Sequence, residues 1–216
     1  MTLKADLFWS FRSPYSYLGA KQYREIAGEY DVEITVRPVY PIAIRNPEFF
    51  AKANPLWIPY LIKDCLRIAE YRELPFALPS PDPIVQDLQT RAISDDQPYI
   101  FWLTRLGVEA ARRGNALQFI ENVSSMVWGG VKDWDKGNHL AEAASSAGLD
   151  LKSMQEAIDG NEEEIDAEVF ANQDALETAG HWGVPCLVVE GEPFFGQDRI
   201  DMALWRMKQL GLEARS

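Results

Sequence analysis

The chain has 216 residues, 33 acidic against 21 basic, a formal net charge of −12, and 47% hydrophobic residues that include seven Trp, eight Tyr and ten Phe. That suffices for one large domain or a domain carrying an insertion. It argues against general affinity for nucleic acid or an anionic membrane, both of which need basic patches, while leaving room for an anionic ligand in a locally positive pocket.

No apolar run approaches the ~20 residues of a membrane span. Residues 1–6 lead into a strand pattern without the apolar core or cleavage site of a signal peptide, so the expected compartment is the cytoplasm. The apolar run Leu7, Phe8, Trp9 gives way to Ser13-Pro14 and then to Tyr23, Ile26, Ala27 and Tyr30 at helical spacing. Ser is a favoured N-cap, and Pro is tolerated at the first helical position. The stretch reads as strand, sharp turn, helix N-terminus. Such a terminus attracts negative charge and lowers the pKa of a nearby thiol, and a cap hydroxyl adds a donor for a bound thiolate. A Ser-Pro helix start by itself is usually only a cap.

Residues 32–36 (Val-Glu-Ile-Thr-Val) alternate as a strand that Arg37-Pro38 and Tyr40-Pro41 end. The opening is therefore β-α-β with a parallel crossover. From Ile44 to about Asp174 strand character disappears. Three prolines make 46–59 a loop with short helical turns, and Leu61, Cys65, Ile68 and Ala69 have helical spacing. Pro75, Pro79, Pro81 and Pro83 punctuate a second irregular segment. Helices are predicted near 84–94, 98–113, 115–128, 137–147, 151–158 and 162–179. Strand character returns at Cys186, Leu187, Val188 and Val189; a Glu190-Gly191-Glu192 turn, a short return strand and a final helix from Gly196-Gln197-Asp198 follow.

The fold class is thus α/β: a thioredoxin-like frame, β-α-β then β-β-α, built from 1–44 and 175–216 and split by a helical insertion over 45–174. Gly183-Val184-Pro185 is the discriminating detail. A Pro directly before a buried strand cannot donate to a ladder. In thioredoxin-like folds this Pro is cis and faces the active helix terminus, and the residue before it offers its backbone to an extended peptide ligand.

Two cysteines, Cys65 and Cys186, form no C-x-x-C pair and read as small buried hydrophobes. His139 and His181 have no companions at metal spacing, so no metal site is expected. His181 reads as a turn residue, and Glu162-Glu163-Glu164 as a solvated helix face. Trp9, Tyr15, Trp57 and Trp128 are candidate walls of an aromatic pocket.

Ser13-Pro14-Tyr15-Ser16-Tyr17-Leu18-Gly19 resembles the S-P-[YF]-S-[YW]-L segment of 2-hydroxychromene-2-carboxylate isomerases and kappa-class glutathione transferases. Gly183-Val184-Pro185 and Phe195-Gly196-Gln197-Asp198-Arg199 resemble their G-[VL]-P and [FW]-G-x-D-R segments, and Val127-Trp128-Gly129 a V-W segment of the insertion. The resemblance spans nearly the whole chain. It implies a DsbA-like fold, glutathione as cofactor and a homodimer. Ser13 would donate to the glutathione sulfur, with Pro14 and Tyr15 beside it. Val184, ahead of Pro185, would pair with the cysteinyl backbone. Gln197 and Asp198 would hold the γ-glutamyl end, and Asn54 would reach in from the insertion.

Three positions depart from the pattern: Trp57 stands where members often carry Lys, Ser10 where many have Asp, and Arg12 where many have Leu. Arg12 and Trp57 are candidates for a substrate pocket, Arg12 as a receiver of a substrate carboxylate. The expected activity is a glutathione-dependent cis–trans isomerisation of an aromatic-pathway intermediate. A glutathione transferase or peroxidase would use the same residues, and a redox-inert peptide-binding module is the alternative outside enzymes. A dithiol oxidoreductase fits least, since positions 13 and 16 are both Ser.

Overall fold

β1 (Leu3–Trp9) and β2 (Val32–Pro38) lie parallel, Leu3 opposite Val32 and Trp9 opposite Pro38, joined by α1 (Pro14–Glu29). This is seen in a computed structural model that describes residues 2–215 apart from 88, 89 and 91. At the other end of the chain β3 (Cys186–Val189) pairs antiparallel with β1, Phe8 opposite Cys186, and β4 (Glu192–Phe195) pairs antiparallel with β3. Among the described residues the sheet order is β2-β1-β3-β4. The β3–β4 turn places Glu190 and Gly191 at φ 49° and 78°, the two positive φ values that a tight hairpin requires. Pro193 sits in β4, an edge strand where its missing N–H breaks no ladder.

Period-two alternation sends the strand side chains to two faces. Ala5, Leu7 and Trp9 join Leu187 and Val189 in one large apolar cluster, while Phe8 joins Cys186, Val188 and Leu176 in a smaller one. Between the halves run α2 (Ile42–Arg45), α3 (Phe49–Lys52), α4 (Trp57–Tyr71), α5 (Ile100–Arg112), α6 (Ala116–Trp128), α7 (His139–Ser146), α8 (Leu151–Ile158) and α9 (Glu162–Thr178). α6 packs on α1, and α5 and α9 lie against β2, so Phe119, Ile120 and Val123 of α6 share the large cluster with Leu18 and Tyr23 of α1. No described helix is long and apolar enough to cross a membrane.

The helix expected near 84–94 is not formed by its described residues; residues 88, 89 and 91 lie outside them. Side chains satisfy this backbone instead. Asp82 accepts the Ile84 N–H, Gln97 accepts the Val85 N–H and donates to the Val85 and Ser94 carbonyls, and the backbone at Gln86 and Ile93 forms an isolated antiparallel bridge. The final helix also differs in its start: Gln197–Arg199 form a 3₁₀ turn before α10 (Ile200–Gln209).

Candidate functional site

Ser13 holds an extended conformation, φ −91° and ψ 115°, as an N-cap must. Its Oγ accepts the Ser16 N–H at 3.2 Å, satisfying one of the free amides of the first turn. The same hydroxyl donates to the Val184 carbonyl at 3.1 Å, across 171 residues of sequence. The Val184–Pro185 peptide bond is cis. The Val184 N–H has no hydrogen-bond partner among the described residues. Helix terminus and proline segment thus meet at one hydroxyl.

The neighbouring residues converge by similar bonds. Gly196 N–H donates to Pro185 C=O at 2.8 Å, which brings the turn carrying Gln197 and Asp198 beside the proline segment. Gln197 is buried with its Oε1 unpartnered, while Asp198 is exposed and pairs with Arg199 at 2.8 Å. Arg72, at the end of α4, donates to Leu18 C=O of α1 at 2.5 Å and to Gln197 C=O at 3.2 Å, clamping that turn onto the first helix. Pro14 is buried under the cap. Tyr15 is half-buried, and its phenol donates to Asp64 of α4 at 2.8 Å. Burial, then this bond and the Asp64 charge, push the Tyr15 phenol well above its ordinary range, so it stays a protonated donor.

Arg12 is already paired. Its Nε and Nη2 make a two-pronged pair with Asp82, and its guanidinium lies 5.4 Å from the centroid of the Trp128 ring. Trp128 in turn donates to Phe11 C=O at 2.9 Å. Together they fix the loop that delivers Ser13, with Ser10 fully buried in it. Trp9 and Trp128 are core residues with almost no exposed surface, so they wall no accessible pocket. Asn54 is exposed, and its Oδ1 accepts the Leu56 N–H at 2.9 Å to open α4. Trp57 stacks on Phe50 at 5.8 Å and meets Phe49 edge-on, and Phe49 lies 5.3 Å from Trp182. An aromatic chain therefore joins the start of the insertion to the segment before Val184. Asp64, Arg72, Phe49 and Trp182 carry no local sequence signal, because each acts only through a partner distant in the chain.

Both thiols are buried, and burial pushes Cys65 and Cys186 up to about 12. His181 stacks on Phe195 at 4.1 Å between centroids and accepts the Gly183 N–H on Nδ1 at 2.8 Å. Its burial lowers its pKa below the ordinary histidine value.

A curated relative, 2-hydroxychromene-2-carboxylate isomerase of Sphingobium xenophagum, is 26% identical over 209 residues, covering 93% of this chain and 96% of that protein. A solved 2-hydroxychromene-2-carboxylate isomerase has the same fold, with TM-score 0.68, 21% identity and 96% of each chain covered. So does the cytosolic disulfide reductase DsbM of Pseudomonas aeruginosa solved with GSH, with TM-score 0.59, 14% identity, and 95% of this chain and 100% of that one covered. The sequence model of the DsbA-like thioredoxin domain matches residues 4–208, and with the sheet order, the cis-proline segment and the capped helix in place the chain belongs to that family.

Proposed function

We propose that the protein is a glutathione-dependent cis–trans isomerase of the 2-hydroxychromene-2-carboxylate isomerase type, with Ser13 as its catalytic residue. The observation that carries this reading is the meeting of the Ser13 hydroxyl with the Val184 carbonyl at the N-terminus of α1. The name of the Sphingobium relative adds to it. Glutathione, held with its sulfur at Ser13, would supply the thiolate for reversible addition to a conjugated aromatic-pathway intermediate, the chemistry a cis–trans isomerisation needs.

The chain's own groups hold and orient. An extended peptide ligand pairing with Val184 takes the Val184 carbonyl with its own N–H and receives the free Val184 N–H. The Ser13 proton, displaced from that carbonyl, then turns toward a sulfur at the helix terminus, while Oγ keeps its bond from Ser16 and the cap survives. Strand pairing and thiolate stabilisation become one exchange, reinforced by the helix dipole. Pro14, Tyr15 and Pro185 would border the sulfur of a bound glutathione. Gln197, Asp198 and the amides of their turn would be the partners for the γ-glutamyl carboxylate and amine, and Asn54 and Trp57 would contribute from the insertion. Arg12 acts through its pair with Asp82, setting the loop before Ser13. On the same reading the protein is a cytoplasmic homodimer.

Calorimetric titration with glutathione across pH tests this. Wild type should bind with release of a proton, and Ser13→Ala should bind more weakly or only at higher pH. Recovery of free glutathione after turnover marks an isomerase, and its consumption a transferase or peroxidase. No binding by wild type at millimolar glutathione removes the reading and leaves a peptide-binding module at Val184.

A further inference from the structure

The insertion helix α4 is lightly packed. Of its 15 residues only Cys65 and Ala69 are buried, while Tyr60, Leu66 and Tyr71 lie largely in solvent. Polar anchors therefore matter to its placement: Tyr15 reaches Asp64 at its middle, and Arg72 stands at its end.

That end is sharply fixed. Glu73 stands at φ 55°, an uncommon value for a residue other than glycine. Its N–H donates to Glu70 C=O at 3.2 Å, and the Leu74 N–H donates to Ala69 C=O at 2.9 Å. These are the two bonds of a Schellman motif with Arg72 as the C-cap. From this fixed start the half-buried Arg72 side chain bonds two carbonyls 54 and 125 residues away in sequence. Nη1 donates to Leu18 C=O at 2.5 Å and Nη2 to Gln197 C=O at 3.2 Å.

The turn held in this way has polar groups to satisfy. Gln197 is only 7% exposed, and its Oε1 has no partner. It packs on α1 at Gly19, where an added Cβ would stand 3.4 Å from Gln197 Cβ. A buried acceptor without a donor is costly, and a ligand ammonium is such a donor. The acidic side chains whose charges act on Arg72 are Asp201 and Asp198. Neither forms an ion pair with it among the described residues, and Asp198 pairs with Arg199 instead. Arg72 thus adds a fixed positive charge to the turn, which favours a ligand carboxylate at the turn's amides.

We propose that Arg72 is a positioning residue: its fork sets the Gln197–Asp198 turn and makes the site select thiols that carry a γ-glutamyl end. Both of its side-chain hydrogen bonds go to backbone carbonyls, so it acts through the turn and not on the reacting atoms. The ligand class rests on the reading of the preceding section; the clamp does not.

Calorimetry on the full chain compares glutathione and γ-glutamylcysteine with cysteinylglycine, which lacks the γ-glutamyl end, and circular dichroism checks folding. Arg72→Gln should weaken the first two by about tenfold, the effect of losing a hydrogen bond to a charged group, and leave cysteinylglycine within about twofold of wild type. Arg72→Lys keeps the charge without the planar fork and should stay at least about threefold weaker for the γ-glutamyl thiols. Hydrogen exchange needs no ligand. The Gly196 and Arg199 amides, bonded to the Pro185 and Gly196 carbonyls, should exchange about tenfold faster in Arg72→Gln, with those of β1 unchanged.

The proposal is overturned if a folded Arg72→Gln leaves these amides as protected as in wild type. It is overturned equally if the γ-glutamyl thiols weaken no more than cysteinylglycine, or if Arg72→Lys binds as wild type does. Should Arg72→Gln not fold, the same exchange is read on Arg72→Lys. The isomerase reading fails separately: a wild type that binds none of the three thiols removes it together with the selectivity, and the exchange result then decides the clamp alone.

Discussion

Tyr15, two residues after the helix cap, donates its phenolic hydrogen to Asp64 at 2.8 Å and so ties the first turn of α1 to the insertion helix α4. The bond holds a protonated phenol against α4 and makes the position of that helix a determinant of how the first turn after Ser13 is anchored. Burial first, and Asp64 second, keep that phenol from ionising. Its folded pKa lies above the unfolded value, so the stability it contributes is present below about pH 10 and is lost as pH rises further. Asp64→Asn should therefore lower the onset of tyrosinate absorbance at 295 nm for one tyrosine. Tyr15→Phe should remove that titration and cost about 1–3 kcal/mol of stability in denaturant melts, the worth of a hydrogen bond to a charged group.

Gly183 has no room for a side chain. A Cβ there would stand 2.5 Å from Phe195 Cε2 and 3.0 Å from His181 Cε1. The exposed Phe195 ring can swing away, but only by leaving its stack on His181. Gly183→Ala should cost about 1 kcal/mol, the value of one aromatic pair. In a Phe195→Ala background most of that cost should vanish, because the obstacle is already gone. Equal costs in the two backgrounds would place the constraint in the backbone instead.

His181 is one of two histidines in the chain, so proton NMR resolves its titration directly. Burial lowers its folded pKa below the ordinary value near 6.5. The unfolded chain therefore takes up the proton first, and the stability His181 contributes is full above about pH 6.5 and lost as pH falls through the folded pKa. Protonation also converts Nδ1 from the acceptor of the Gly183 N–H into a donor, which loosens the turn before Val184. His181→Gln should flatten stability between about pH 6.5 and pH 5 in thermal melts; an unchanged slope would mean that other groups carry it.

With both thiols buried and raised to about 12, neither should react with iodoacetamide at pH 8 while the chain is folded. Mass spectrometry should find no alkylation before denaturation and two additions after it. Rapid native labelling of either thiol would contradict the burial of that site.

The frame of this molecule is legible in its amino-acid sequence. Strand alternation, the Ser13-Pro14 start and the proline ahead of β3 are local signals, since caps, turns and periodicity depend on residues within a few positions of one another. They suffice for the β-α-β and β-β-α halves and for six of the helices between. The segment 84–94 departs from its helical spacing because its hydrogen bonds are set by Asp82 and Gln97. Tertiary structure alone decides that Arg12 faces Asp82, that Tyr15 meets Asp64, that Trp9 and Trp128 are core, and that Arg45 donates to the Trp182 carbonyl. These partners lie 49 to 137 residues apart where bonded, and a side chain's choice of partner over such separations leaves no period in the sequence. The frame follows from local chemistry; the direction each polar side chain takes follows from what the fold brings within reach of it.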